Sequence, residues 1–255
     1  MELLLKTWLF IFIFSNLRYF FLAGMVFLYF YVFYRQRAID RKIQARFPTN
    51  GDIYREIFYS TLTAALMAAM ITALSAPAVR GYTLLYFDRA AFGYAYFWLS
   101  VLLLIFIHDA YFYWMHRAVH HPQLFKKVHF VHHQSTNPTP WTSFSFHPLE
   151  GILEILIIPL LTFVLPLHPL AIGIFVLFMT IYNVYGHSGY ELYPAWFARH
   201  PVLRWLNTSV NHNMHHRYFK GNYGLYFRFW DEWMGTTHPH YEQTFAQKAR
   251  KSQKK

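Results

Sequence analysis

The 255-residue chain contains no cysteine. This absence excludes disulfides, thiolate-bound iron–sulfur clusters and thiolate-ligated haem, so any metal must be held by histidine, carboxylate or amide groups. Histidine is the abundant donor, with 16 residues against 12 for aspartate and glutamate together. A metal site in this chain is therefore expected to consist mainly of imidazoles.

Charged residues are also scarce, at 14% of the chain, whereas soluble domains carry roughly 25%. Hydrophobic residues reach 55% and aromatic residues 22%, which indicates a lipid environment. The net charge of +11 does not indicate a nucleic-acid partner, because the basic residues flank apolar runs and do not line one face. Without a Gly/Ser-rich linker or a low-complexity tract, residues 1–255 are expected to form a single membrane domain.

Three apolar runs are long enough to cross a bilayer, which needs about 20 residues in helical form. The first lies between Lys6 and Arg35 and is interrupted only by one asparagine and one arginine. It is too long for a cleaved signal peptide and lacks a small-residue cleavage pattern. The second covers residues 57–79, and the third covers residues 90–107 and continues into a histidine-rich stretch.

A fourth apolar region, residues 155–186, contains no aspartate, glutamate, lysine or arginine. Pro159, Pro166 and Pro169 interrupt it, and the sequence "PLHP" within it is typical of a turn. We therefore predict a helical hairpin here, in preference to one kinked span. The chain would then hold about four transmembrane segments, the last of which is this hairpin.

The charges of the loops predict the orientation of these segments. Residues 35–55 carry six basic residues, against two in residues 80–89, which places the first loop in the cytoplasm. Two crossings later, the histidine-rich segments return to the same side. The predicted fold is an all-α, integral membrane helical bundle with a histidine-rich helical cap on its cytosolic face.

Three parts are distinguished within this single domain. Residues 1–107 supply the N-terminal transmembrane helices and the basic cytosolic loop, and residues 108–237 form the histidine-bearing region with the hairpin of 155–186. Residues 238–255 are interpreted as a basic C-terminal tail, whose last part, "KARKSQKK", is expected to be solvated. A bacterial inner membrane or the endoplasmic reticulum is the expected location.

Three short stretches concentrate the histidines: "HRAVH" at 116–120, "HFVHH" at 129–133 and "HNMHH" at 212–216. Residues three or four apart share one face of a helix, so each stretch brings imidazoles within reach of one metal or two adjacent metals. Neutral imidazoles near an apolar core need partners, and no comparable set of acids is available. A shared metal centre is therefore predicted.

The number of histidines indicates two metals, because one ion takes four to six ligands and these stretches hold eight imidazoles. His187, in "NVYGHSG", is a ninth candidate ligand. Asn183 lies four residues before it, and three roles are open to its amide: direct ligation, binding through water, or packing between helices.

The setting favours two iron ions that activate dioxygen. A zinc protease is disfavoured because the chain lacks H-E-x-x-H, and bis-histidine haem needs isolated histidines deep within helices. Two alternatives stay open: a membrane zinc hydrolase or metal-binding protein, and a transporter whose histidines conduct metal ions or protons.

Other polar side chains near these stretches have more than one interpretation. His108 lies two helical turns before the first stretch and is a candidate for contact with a ligand, and His147 would ligate a metal or bond to Glu150. Asp109, Glu150 and Asp231 are candidates for orienting imidazole N–H groups. Helix capping and salt bridges are the alternatives for the three acids.

The same stretches carry a family resemblance. Together with "FHPLEG", "YGHSGYELYP" and "NYGLYFRFWDEWMGT", they resemble the fatty acid hydroxylase and sterol desaturase superfamily over residues 100–237. The resemblance implies a membrane-bound, histidine-ligated di-iron oxidase that hydroxylates or desaturates a lipid C–H bond with dioxygen as co-substrate. Zinc would replace the iron in overexpressed protein. Relatives often have a second histidine where this chain has Asn183, and often D-R-x-F-G-T where it has "DEWMGT".

The resemblance also implies the ligands and the partners. Electrons would come from a separate protein of the cytochrome b5-like or ferredoxin/reductase type, because no cytochrome b5-like domain is attached. The lipid substrate would be of sterol or fatty-acyl type. The implied metal ligands are His116, His120, His129, His132, His133, His187, His212, His215 and His216.

Overall fold

The computed structural model describes residues 1–249, and within them the chain is helical, with isolated bridges but no strand. Two π-helical turns, Leu28–Phe33 and Phe125–His129, and four 3₁₀ turns connect the α-helices. The α-helices, in chain order, are α1 (Glu2–Phe27), α2 (Asn50–Ser75), α3 (Pro77–Arg80), α4 (Gly93–Val119), α5 (Pro122–Leu124), α6 (Phe130–His133), α7 (Pro148–Thr162), α8 (Pro169–Gly186), α9 (Ser209–Tyr218), α10 (Phe229–Trp233) and α11 (Tyr241–Ala249).

Four helices are long and apolar enough to cross a membrane: α1 with its following π turn, α2, α4 and α8. This finding confirms the predicted helical membrane bundle. The second span is displaced from its predicted bounds because the Thr49 side chain and Asp52 form a capping box that starts α2 at Asn50. On α1, Phe10, Phe14 and Phe21 are 69%, 58% and 64% exposed, as side chains that face lipid would be.

The fourth apolar region is a hairpin, as predicted. Helices α7 and α8 each begin with a proline, and their capping residues, His147 and His168, accept the backbone N–H of Leu149 and Leu170 through Nδ1. Helix α7 has 15 residues and is about 22 Å long. Of the two arms, α8, with 18 residues, is the one long and apolar enough to be a candidate span.

The loop between α1 and α2 packs directly on the histidine-bearing segments. Gln44 donates from Nε2 to the carbonyl of Thr136 (2.8 Å) and to Oδ1 of Asn213 (2.9 Å). Asn137 donates from Nδ2 to the carbonyl of Arg46 (2.7 Å). The basic loop and the histidine cap therefore lie at the same end of the bundle.

Residues 238–255 were interpreted as a basic tail, with solvation expected only for "KARKSQKK" at 248–255, and the structure shows a packed helix within this segment. Residues 241–249 form α11, whose Tyr241 and Phe245 are buried against Val210 and Met214 of α9. The apolar side chains recur every four residues and so cover one helix face. The segment is thus part of the cap as far as Ala249, and the rest of "KARKSQKK" lies outside the described residues.

A buried carboxylate ties the segment after α6 to α2. Glu56 is 1% exposed and accepts hydrogen bonds from the hydroxyls of Ser135 (2.7 Å) and Thr139 (2.6 Å). Thr139 in turn caps the 3₁₀ turn Pro140–Phe144. One side chain of a membrane helix therefore holds two positions of the connection between α6 and α7.

We expect Glu56→Ala to lower the free energy of unfolding by about 2–3 kcal/mol, because it leaves two buried hydroxyls without an acceptor. Thermal unfolding of the detergent-solubilised protein would show a decrease in Tm of several degrees. Glu56→Gln should retain part of the stability, since the amide oxygen still accepts one hydroxyl. Glu2→Ala, at a carboxylate that is 82% exposed, is the control; an equal Tm for Glu56→Ala and Glu2→Ala would contradict the assignment.

Candidate metal centre

The nine histidines that the sequence singles out come together at one end of the bundle, although they belong to five separate segments. His116 lies in the last turn of α4, and His120 is its C-cap. His129 ends a π-helical turn that leads into α6, and His187 is the C-cap of α8. Helix α6 contributes His132 and His133, and α9 contributes His212, His215 and His216.

The histidines divide into two groups, within each of which one ring nitrogen from every residue lies within 4.8 Å of the others. Every member is buried except His120, which is partly exposed. The five-histidine group contains His116, His120, His129, His133 and His215. The four-histidine group contains His132, His187, His212 and His216.

Short Nε2–Nε2 distances define the five-histidine group. His133 lies 3.2 Å from His120 and 3.0 Å from His215. The distance from His120 to His215 is 3.1 Å, and that from His116 to His129 is 3.0 Å. The ring nitrogens therefore face a common point.

The four-histidine group has the same geometry. Nε2 of His187 lies 2.9 Å from that of His212, 3.2 Å from that of His216 and 3.4 Å from that of His132. His212 and His216, one helical turn apart on α9, are separated by 3.2 Å at Nε2. His212 and His216 were predicted to share one face of a helix, and this shared face brings their two rings to one site.

The opposite nitrogen of six of these rings has a hydrogen-bond acceptor. Five Nδ1 atoms lie 2.7–3.3 Å from backbone carbonyls, and that of His129 lies 2.6 Å from Oε1 of Glu150. The carbonyl pairs are His116 with Tyr223, His132 with Ser145, His187 with Asn183, His215 with Gly221, and His216 with Ser135.

These acceptors determine the tautomer of the six rings that they contact. A neutral imidazole has one N–H and one lone pair, so an Nδ1–H donor leaves its lone pair on Nε2. The lone pairs of each group then point at one another across about 3 Å and repel. Ligands bound at about 2.1 Å from one ion are about 3.0 Å apart in octahedral geometry and about 3.4 Å apart in tetrahedral geometry. The donor set therefore fits one divalent metal per group.

The protonation states also suit metal binding. Burial lowers the pKa of His120 to about 2, with a contribution from the neighbouring His116, and it lowers the pKa of His187 to about 4. Burial and neighbouring imidazoles hold the pKa values of His129, His212 and His215 well below the usual value. These rings are therefore neutral near pH 7, which is the form that ligates a metal.

The Glu150 carboxyl oxygen accepts the Nδ1–H of His129, which is the contact that the predicted orienting role requires. Asp231 acts less directly: it accepts the backbone N–H groups of Tyr223 and Gly224, each at 2.8 Å. Since the Tyr223 carbonyl accepts the N–H of His116, Asp231 orients that ring through the backbone.

Four other candidates lie elsewhere. Asp109 accepts the backbone N–H groups of Tyr226 (2.7 Å) and Phe227 (3.3 Å), so it holds a loop and no imidazole. His108 packs among aromatic rings and belongs to neither group. His147 caps α7, as described above, and is also in neither group. Asn183 contributes its carbonyl to His187, which is a role that any residue type could fill.

Sequence reasoning missed the backbone acceptors and one buried acid. Glu191 accepts the N–H of Val210 (3.1 Å) and so helps to hold the start of α9. Gly221 has a φ of 76°, and a Cβ there would lie 2.5 Å from the Thr236 carbonyl, so only glycine presents its carbonyl to His215 in this way. The sequence "YELYP" contains Glu191 and could have drawn attention to it. The backbone carbonyls could not be predicted in this way, because any residue type can place its carbonyl beside a histidine ring.

Comparison with known proteins agrees with this site. No solved structure matches the chain. The chain is 34% identical to mouse lathosterol oxidase over 74% of its own length and 62% of that relative. It is 29% identical to a Delta(7)-sterol 5(6)-desaturase of Gibberella zeae over 82% of its length and 61% of that relative. The matched part thus spans about three fifths of these relatives.

A further match covers the region that holds the metal centre. The sequence profile described as "Fatty acid hydroxylase" aligns with residues 101–236. This stretch is more than half of the chain and contains all nine histidines of the two groups. The chain belongs to the fatty acid hydroxylase family.

Proposed function

We propose that this protein is a membrane-bound di-iron oxidoreductase that uses dioxygen to desaturate or hydroxylate a C–H bond of a sterol-type lipid. The observation that carries the proposal is the pair of histidine groups, whose Nε2 lone pairs converge on two points. Family membership supports an oxidation of lipid, and the names of the relatives favour a sterol and a desaturation.

The composition of the two groups favours iron over a hydrolytic zinc site. Catalytic zinc sites commonly have three protein ligands and one open position, whereas these groups offer five and four imidazoles. A transporter would need histidines along the depth of the membrane, but both groups lie at one end of α4 and α8. Each alternative in the sequence analysis is therefore less consistent with the site than an oxidase.

The nine ligating residues of this proposal are those of the two groups. Bound iron would supply the one-electron chemistry with dioxygen that no side chain of this chain can perform. Glu150 and the five carbonyls keep six of the nine rings in the Nδ1–H tautomer, so the Nε2 atoms of these six are available to a metal without rearrangement.

Apolar side chains isolate the centre from water. The ring of Phe146 lies 4.9 Å from that of His132, and the ring of Phe112 lies 4.9 Å from that of His116. Both phenylalanines belong to the main hydrophobic core between α4, α7 and α8. A lipid that enters from the bilayer would reach the centre through this apolar side.

The overall reaction requires two electrons from outside the chain. Desaturation removes two hydrogens from the lipid, and two further electrons and two protons complete the reduction of one dioxygen to two waters. Hydroxylation uses the same two electrons and two protons but releases one water. An electron-transfer protein of the cytochrome b5-like or ferredoxin type is the proposed source.

The proposed location of the centre is the cytosolic face of a bacterial inner membrane or of the endoplasmic reticulum. The loop that packs on the histidine cap carries most of the basic residues near the spans, and such loops stay in the cytosol. Electron donors of the proposed type are cytosolic or face the cytosol, which is consistent with this orientation.

Adjacent histidines provide a matched test of the ligand assignment. His120→Ala should reduce bound iron from about two ions per chain to about one, because it removes one of the imidazoles of the five-histidine group. His121→Ala should retain both ions, since His121 is exposed and belongs to neither group. Metal analysis after anaerobic iron loading measures both variants. Full iron content and activity in His120→Ala, His132→Ala and His215→Ala would refute the assignment.

Glu150 and Glu154, one turn apart on α7, test the role of the carboxylate beside His129. Glu150→Gln should weaken iron binding about 10- to 100-fold, because His129 loses its carboxyl acceptor. Glu154→Gln should have little effect, since Glu154 belongs to neither histidine group. The rate of iron loss to a chelator is the measurement, and similar rates in the two variants would count against the assignment.

The reaction itself is tested by lipid analysis. Membranes of a host that expresses the wild-type protein should contain a sterol-type product that has lost two hydrogens or gained one oxygen atom, as detected by mass spectrometry. Formation should stop without dioxygen and in His215→Ala. A product that forms equally under anaerobic conditions would exclude an oxidase.

A further inference from the structure

One ligand of the metal centre approaches the surface of the cap. His120 alone among the nine histidines is partly exposed. Two aromatic rings lie beside the five-histidine group: the Phe125 ring is 5.3 Å from the His120 ring, and the Phe219 ring is 5.0 Å from that of His133. The two phenylalanine rings are 6.0 Å apart. They separate the five-histidine group from the exterior.

Phe219 has an unusual backbone conformation. It is the C-cap of α9 with a φ of 60°, in the left-handed region that bulky residues rarely adopt. The side chain is nevertheless 38% exposed, so burial of the ring does not explain the strain. Strained residues concentrate at functional sites, and here the strain keeps an aromatic ring at the surface beside the metal centre.

Exposed cations lie close to the two phenylalanines in the sequence. Lys126 and Lys220 directly follow the two phenylalanines in the sequence. The segments 110–149 and 192–230, which contain the two phenylalanines and these cations, have no aspartate or glutamate. The docking patch is defined as Phe125 and Phe219 with the exposed cations Arg117, Lys126, Lys127, Arg217 and Lys220.

We propose that the docking patch binds an acidic electron-transfer protein and admits its electrons through His120. The inference rests on the proposed function and specifies where the electron donor of that function binds. An aromatic centre with a charged rim is typical of protein interfaces, and a cluster of one charge sign increases association with a partner of the opposite sign. The partly exposed ligand gives the bound donor a short route to the metals.

An anionic lipid surface is the competing occupant, because basic clusters beside membrane spans bind such lipids. Two observations favour the protein. Phe219, Arg217 and Lys220 follow α9, which is not a spanning helix, so half of the patch is not adjacent to a span in the chain. The patch also surrounds the one exposed ligand, a position that has no advantage for binding a lipid headgroup.

The test uses the full-length, iron-loaded protein in nanodiscs of neutral phosphatidylcholine. Stopped-flow absorbance would follow electron transfer from two acidic probes, the reduced haem domain of cytochrome b5 and a reduced [2Fe–2S] ferredoxin. Lys126→Glu/Lys127→Glu should lower the second-order rate constant for at least one probe by about tenfold or more and weaken its decrease with added salt. Arg80→Glu/Arg89→Glu is the control, since it makes the same charge change at exposed residues between α2 and α4.

The neutral reductant reduced phenazine methosulfate separates this inference from the proposed function. Both double variants and the wild type should accept its electrons equally and should contain two irons. If the wild type accepts no electrons from phenazine, the proposed function fails. If phenazine works but neither probe reduces the wild type, or both double variants react alike with the probes, the docking patch is wrong. An effect that requires phosphatidylserine in the nanodiscs would assign the patch to lipid and overturn the inference.

Discussion

The mutual repulsion of imidazole lone pairs is the constraint on which this structure depends. Nine rings direct Nε2 toward two points with separations near 3 Å, and hydrogen bonds at Nδ1 prevent six of them from adopting the other tautomer. Such an arrangement is unfavourable in an apolar interior unless a cation occupies each point. Metal binding therefore contributes to the stability of the cap, and the fold of the cap in turn makes the site.

The membrane helices and the cap act as one unit. Glu56, on the second spanning helix, holds Ser135 by its hydroxyl, and the carbonyl of Ser135 accepts the N–H of His216. Glu150, at the start of the hairpin, holds His129 directly. The spanning bundle thus does more than anchor the protein in lipid, because its buried carboxylates position ligands at the membrane boundary.

Much of the fold and the site could be predicted from the sequence, because both depend on local patterns. Uninterrupted apolar runs determine where helices can span, and the prolines near 159–169 mark the hairpin. The spacing of His212 and His216 predicts a shared helix face without knowledge of any partner. By contrast, the packed helix at 241–249 was missed because the basic residues around and after its end led us to interpret residues 238–255 as a tail and concealed a short apolar repeat at Tyr241 and Phe245.

The sequence by itself determined that the protein lies in a membrane, that it is helical, and which nine histidines are the candidate ligands. These features follow from composition and from spacing along one chain. Tertiary structure alone decided how the nine rings divide into two groups, so that His132 and His133, neighbours in sequence, belong to different ones. It also decided which acids act on the rings: Glu150 reaches His129, whereas Asp109 reaches only a backbone loop. The physical reason is that a hydrogen bond to a backbone carbonyl, or across helices far apart in the chain, depends on folded positions and leaves no mark in residue type.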